Sequence, residues 1–500
     1  MTANQFFHYP PKMLVPAVLA VCVGSFAATV LVVNGYWLWL AVLGSIGAVL
    51  LMLLIRPVNL LLIVFAFLPF QSLLNDIFAG SISIVAVCKD VLMVVVCLST
   101  LLYYLAPHRR WYLDTITYCL LIFAAVSTMY VAFSPHFMRA VLQLRFLSLY
   151  PFIALIVANA LETRADLYKV LRVVAVIGLI TVIYGIFQYL FQFDVSYRTS
   201  TGSVRLRMWR FGEELGMVST FASRPSFGGY LVPLFLLFLR VKLWQSRKSA
   251  WVLRMIALVS IGACIVLTYS RSSWLSLVVG LFVVFYFHDR FKAFLMALVL
   301  IVTLTAFYSV KSIYLSRELA EAATSGESFE IRLHYWPMVA SHLADSPFGI
   351  GLGMVGGPHL FELGANADSY GNLQYDPQSA FDLEGKPGPD NVLSVTDNSF
   401  LKLFVQGGFL LLFVFLCLVG IVLHSAFSIL RIVREQWLRD AAVWAIASFA
   451  SLLTIFMFVD FIESAPAISI YWLGVGVLCF TRKYSMGRQP LGSGSQSLRH

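Results

Sequence analysis

The sequence predicts an all-α, polytopic membrane helix bundle with about 12–14 transmembrane helices and one long loop on the outer side, and three observations carry that class. Of 500 residues, 60% are hydrophobic and only 12% charged, whereas soluble domains carry about a quarter charged residues. Mean hydropathy is +0.84. Runs long enough to span a bilayer core, about 20 apolar residues each, recur from Met13 to Phe480. These runs are apolar throughout, which excludes a transmembrane barrel with alternating strands.

In chain order, hydropathy places spans at about 13–33, 36–55, 58–76, 82–105, 115–134, 140–161, 168–192, 226–241, 255–270, 272–287, 292–310, 399–424, 441–461 and 466–481. Connections rich in Lys and Arg stay on the cytoplasmic side. Arg109 and Arg110; Arg164 and Lys169; Arg240, Lys242, Arg247, Lys248 and Arg254; Arg290 and Lys292; Arg431, Arg434 and Arg439; and Arg482 and Lys483 fall in every second connection. Both termini are therefore expected in the cytoplasm. The alternation closes only if 255–270 and 272–287 are two short spans turning at Tyr269-Ser270-Arg271 on the outer side. The first span lacks a convincing small-residue cleavage site, so it reads as a retained helix and not a removed signal peptide.

The chain divides into N-terminal transmembrane helices over 1–192, an outer Arg-rich loop with central helices over 193–310, a long polar loop over 311–398, C-terminal helices over 399–481 and a tail over 482–500. A polar loop of that length is usually functional. Within it, 329–343 has apolar residues at helical spacing and is expected at the membrane surface, and Pro347-Phe348-Gly349-Ile350-Gly351-Leu352-Gly353 is expected to turn. The seven cysteines all sit in apolar runs without a CxxC pair, so neither a disulfide framework nor a thiolate metal site is expected. Net charge is +10, but no basic tract interleaved with aromatics points to nucleic acid. Topology accounts for the charge.

Basic residues on the outer side need another reason. Arg198, Arg205, Arg207, Arg210 and Arg224 lie in the outer segment 193–225, and guanidinium groups bind phosphate oxygens in a bidentate way. Pairing with Glu213, Glu214 and lipid headgroups is the simpler alternative. Arg271 falls at the tip between two short helices, where a charge near hydrocarbon costs ~3 kcal/mol unless paired; its alternative is a snorkelling anchor. Lys89 and Asp90 lie inside the span 82–105 and point about 100° apart on a helix, so each needs a partner elsewhere, most simply in a structural network. Arg139 and Arg145 start the next outer-to-inner span and could extend the basic surface.

In the long loop, Arg332, His334, His342, His359, Asp390 and Asp397 are the titratable candidates. Group transfer to a hydroxyl needs a base, and Asp or His can serve. Asp397 immediately precedes the span near 399, where an N-cap role is the alternative. No GxxxxGK[ST] loop is present, so no ATP motor is indicated, and no DxD pair suggests a metal-bound nucleotide sugar.

Ser219-Thr220-Phe221-Ala222-Ser223 with Phe227-Gly228-Gly229-Tyr230-Leu231, then Thr268-Tyr269-Ser270-Arg271, then Arg332, Trp336 and the 347–353 run, and last Thr396-Asp397-Asn398-Ser399-Phe400-Leu401 with Gly407-Gly408, resemble in order the O-antigen ligase and Wzy-type polymerase superfamily. The resemblance covers about 200–425 by motif. It implies a helical bundle whose long periplasmic loop caps the active site. It also implies metal-independent, inverting transfer of a glycan from an undecaprenyl-diphosphate carrier to an acceptor hydroxyl, without cofactor. By resemblance, Arg271 holds the diphosphate. A second family arginine falls where Gly216 and Met217 stand here, so Arg210, Arg207 or Arg224 takes that role. Arg332, Trp336 and Asn398 would contact substrate.

Ligases carry His before the Asn at the end of the long loop, whereas this chain has Asp397. That is closer to the polymerase members, with Asp397 as acceptor base and His334 as the second candidate. The expected activity is thus polymerisation of lipid-linked repeats for an exopolysaccharide or O-antigen at the outer face of the bacterial inner membrane, beside membrane lipids, a flippase and a chain-length regulator. Transfer of a finished chain to lipid A core is the runner-up. A lipid-linked oligosaccharide transporter should show repeat symmetry and midplane ionisable residues, of which only Lys89 and Asp90 are signs. A non-catalytic export scaffold is the third alternative.

Overall fold

The structure is a computed structural model that describes residues 55–77, 84–104, 111–135, 137–191, 197–198, 204–205, 209–211, 214–221, 223–244, 248–287, 347–354, 398–462 and 464–487. The spans expected at 13–33 and 292–310, nearly all of 36–55, and the surface helix expected at 329–343 lie outside these residues.

The expected helices follow in order. They are α1 (Pro57–Phe67), continued through a 3-10 turn at Leu68–Phe70 into α2 (Gln71–Ile77); α3 (Ile84–Tyr104); α4 (Thr115–Ala132); α5 (Phe137–Leu144), continued by a π-helical turn at Arg145–Leu149 into α6 (Phe152–Ala160); and α7 (Arg164–Phe191). After four short strands come α8 (Arg224–Arg240), α9 (Lys248–Leu267), α10 (Arg271–Tyr286), α11 (Ser399–Ile432), α12 (Gln436–Phe456) and α13 (Ala465–Gly487). Seven helical stretches among the described residues are long and apolar enough to cross a membrane, and α9 and α10 contribute shorter apolar stretches. The chain between α9 and α10 turns where the charge alternation required it.

The segment before α8, read only as a loop, contains two antiparallel hairpins. β1 (Tyr197–Arg198) pairs with β2 (Val204–Arg205), and β3 (Trp209–Phe211) with β4 (Glu214–Gly216).

The core is built around α13, in which every residue from Ala465 to Thr481 is buried, packed on α6, α8 and α12. Its apolar side chains cannot gain from leaving water once in lipid, so packing and internal hydrogen bonds specify the contacts. Pro233 inside α8 shows how. It has no N–H to give the Gly229 carbonyl one turn earlier, and the Tyr471 hydroxyl donates to that carbonyl at 2.8 Å. The Trp444 indole N–H donates to the Pro233 carbonyl at 2.8 Å. Three helices are thereby fixed at one kink.

At one end of the bundle, basic side chains satisfy helix carbonyls, as expected of cations at helix C-termini. Arg254 Nε donates to Phe238 O at 2.5 Å and a second nitrogen to Leu239 O. Arg172 Nε donates to Leu243 O at 2.8 Å, Arg240 pairs with Asp440 at 2.8 Å, and Lys483 Nζ reaches the carbonyl of Ala158 at 3.2 Å. Of the charges that set the expected topology, Arg240, Arg254 and Lys483 therefore gather at a single end. Arg224, Arg271 and Asn398 start helices at the other.

One expected span is corrected. The sequence places a membrane crossing from 399 onward, but α11 breaks at Gly408 (φ 59°, ψ −158°). In a straight helix Phe400 and Phe415 would stand about 22 Å apart, yet their ring centroids are 5.9 Å apart. The first arm, 399–407, folds back on the second, 409–432, and only the second arm can cross. Hydropathy reads both arms as one apolar run because transfer into lipid carries no information about direction.

Candidate active site

Two helices begin at the same end with an arginine at the first helical position. Ser223 caps α8, its hydroxyl accepting the Ser226 N–H at 3.3 Å, and Arg224 follows. Ser270 precedes α10, and Arg271 opens it. The starts of α8 and α10 are tied together twice. The Met217 N–H donates to the Leu267 carbonyl at 3.0 Å, and a Cβ on Gly228 would lie 2.3 Å from Ser273 Oγ, so only glycine allows that approach. Parallel helix starts place partial positive charge beside two guanidinium groups, which favours an anion.

The backbone leading into these starts is strained. Among the described residues only Ser219 (φ 57°) and Tyr269 (φ 51°) combine a side chain with the left-handed region, a conformation that persists when its surroundings over-determine it and that clusters at functional sites. Ser219 is held by the buried Gln188, whose amide oxygen accepts the Ser219 N–H at 2.8 Å, and by its own hydroxyl donating to Thr181 O at 2.7 Å. Beside Tyr269, Ser273 donates to Ser270 at 2.9 Å and Ser276 to Ser273 O at 3.1 Å. Arg271 is exposed, while Ser272 and Ser273 on the same turn are buried. Arg224 is partly buried, its side chain lying against Gly216, where a Cβ would meet Arg224 Cδ at 2.3 Å.

The α11 start lies across the α12–α13 connection. Asn398 caps it, its Oδ1 accepting the Phe400 and Leu401 N–H groups at 2.9 and 3.1 Å while its Nδ2 donates to Met457 O at 3.1 Å. Ser399 donates to Val459 O at 3.0 Å and accepts from the Phe461 N–H at 2.9 Å. Fully buried Lys402 pairs with Asp460 at 2.6 Å. The Phe461 ring in turn abuts Gly229, so the connection joins the α11 start to α8.

A glycine loop, 347–354, closes the other side, as its composition predicts. The Ile350 and Gly351 N–H groups donate to Val405 O and Gln406 O at 2.9 and 3.1 Å, and the Phe409 N–H donates to Pro347 O at 3.1 Å. The Ser134 hydroxyl holds Leu352 O at 2.7 Å. Gly349, Gly351 and Gly353 all have positive φ, and a Cβ on Gly353 would fall 2.6 Å from the Arg139 carbonyl. Gly353→Ala should therefore displace the strap, cutting activity at least about tenfold with a lowered Tm, because strain of this kind costs about 1–3 kcal/mol. Wild-type Tm and activity in that variant would contradict the strapped geometry.

The structure thus gathers Arg224, Arg271 and Asn398 at one end, with the Asn398 amide committed to capping. Arg210 has a defined backbone position, opposite Leu215 in the second hairpin. Arg207, Arg332, His334, Trp336, His342, His359, Asp390 and Asp397 lie outside the described residues, Asp397 being the chain neighbour of Asn398. Arg145 does not simply extend a basic surface, because it pairs with Asp90 at 2.6 Å. Lys89 is buried with its ammonium 5.7 Å from the Phe146 ring. Sequence reading missed the Lys402–Asp460 pair and the buried amides of Gln143, Gln188 and Gln406. The signal available was one of isolated polar residues in apolar runs, which must find partners inside the bundle.

A multi-pass helical bundle with arginine-bearing helix starts, a capped third start and a glycine strap at one end defines a helical membrane protein. Residues 256–416 match the family described as O-antigen ligase (Wzy_C), and the chain carries a domain of the O-antigen ligase and Wzy superfamily. The match spans about a third of the chain. It includes the Arg271 turn, the glycine strap, the first arm of α11, the Gly408 break and the start of the second arm, but not Arg224 or the hairpins. Comparison with curated proteins gives no match.

Proposed function

We propose that the chain is an inner-membrane glycosyltransferase that polymerises undecaprenyl-diphosphate-linked oligosaccharide repeats at the periplasmic face. The observation that carries this reading is the pairing of the Arg224 and Arg271 helix starts, which suits a lipid diphosphate and lies partly within the O-antigen ligase match. The acceptor hydroxyl oxygen attacks the anomeric carbon of the donor, its proton passes to the Asp397 carboxylate, and the bond to the diphosphate oxygen breaks with inversion. Arg271, with Arg224, Arg210 or Arg207, stabilises the charge that develops on the leaving oxygen. His334 is the second candidate for the base, Arg332, Trp336 and Asn398 are the proposed glycan contacts, and the reaction needs no metal.

The family's description favours a second reading, transfer of a finished glycan to lipid A core. Cells carrying Arg271→Ala should accumulate carrier-linked single repeats on the outer leaflet if the protein polymerises. Longer carrier-linked chains on that leaflet would point to the ligase reaction, and repeats stranded on the inner leaflet would overturn both in favour of a transporter.

A further inference from the structure

Among the described residues, buried polar atoms on three side chains beside the glycine strap lack a hydrogen-bond partner. Gln143 on α5 and Gln406 on the first arm of α11 are both fully buried, and neither amide oxygen nor amide nitrogen of either has a hydrogen-bond partner; nor does Arg139 Nη1. Four orphaned amide atoms in one region are unusual, because a buried polar group without a partner costs stability. Leu403, one turn before Gln406, lines the same small cavity as Phe146 and Leu147, one turn after Gln143. Arg139 lies one turn before Gln143 on the same helix face, and the strap runs from Gln406 O at Gly351 to the Arg139 backbone at Gly353.

We propose that Arg139, Gln143 and Gln406 form a binding site for the hydroxyl groups of a carbohydrate, and that this is where the acceptor glycan is held. Primary amides both donate and accept, and a guanidinium only donates, which matches sugar hydroxyls better than it matches a phosphate or a metal ion. The acceptor assignment rests on the proposed polymerase reading; the carbohydrate site does not.

The test uses the full-length protein in nanodiscs and, as probe, the repeat oligosaccharide released from the cell's own carrier-linked repeats. Binding should slow amide hydrogen exchange in 347–354 of the wild type. The Gln143→Leu, Gln406→Leu double variant should bind the oligosaccharide at least tenfold more weakly, keep wild-type affinity for undecaprenyl diphosphate, and show a Tm no lower than wild type. Unchanged oligosaccharide affinity, or a lowered Tm showing that the amides serve the fold, would overturn the site. Should the double variant fail to fold, absence of slowed exchange in the wild type overturns it. Binding without any polymer ladder from the wild type would instead reject the polymerase reading and leave the site standing.

Discussion

Arg271→Ala should reduce glycan transfer at least about 100-fold, the loss seen when a donor to a developing oxyanion is removed, while leaving protein level and Tm at wild type. The two halves of this expectation have separate causes. The guanidinium is exposed, so little packing is lost with it, and the α9–α10 turn is held by Thr268, Ser270, Ser273 and Trp274 through hydrogen bonds that do not involve the Arg271 side chain. Arg271→Lys should fall between, since an ammonium keeps the charge but loses the bidentate fork. Transfer rates on the three proteins, reconstituted side by side, check the order. Equal activity of Arg271→Ala and wild type would remove Arg271 from the diphosphate site.

Lys402→Ala should have the largest effect on stability, about 3–5 kcal/mol, because it takes the paired ammonium away from the Asp460 carboxylate in a site from which water is largely excluded. Lys402 is fully buried, and its ammonium lies 2.6 Å from the carboxylate, whose side chain is 14% exposed. The pair also fixes the α12–α13 connection beneath the α11 start, so activity should fall with stability. Replacing both members, Lys402→Met with Asp460→Leu, should recover most of the lost Tm, since an apolar pair of similar volume needs no counter-charge. Thermal unfolding in detergent measures this. A double variant as unstable as the sum of the singles would show that the two residues act independently.

Most of the helices were legible in the sequence, because lipid rewards uninterrupted apolar runs and the placement of Arg240, Arg254 and Lys483 marks one end of the bundle. The turn before Arg271 was legible for the same reason, as the charge alternation fails without it. Three things were not. The reversal at Gly408 is hidden inside a continuous apolar run, with Gly407-Gly408 the only hint. The hairpins before α8 are too short for a period-2 pattern to register. The convergence of Gln143 with Gln406, and of Lys402 with Asp460, depends on which helices become neighbours, and a residue's partner several helices away leaves no trace in local composition. Arg271 could be singled out because a charge at the tip between two short apolar runs is readable, and Asn398 through the motif resemblance; the structure added that Asn398 spends its amide on the cap.

The most direct test of the polymerase reading is reconstitution of the purified protein in lipid with undecaprenyl-diphosphate-linked repeat units alone, without nucleotide or divalent metal, with products separated on a gel. The expected result is a ladder of repeats that Arg271→Ala abolishes. No ladder from repeats alone, with a single transfer once lipid A core is added, would contradict polymerisation and make the protein a ligase.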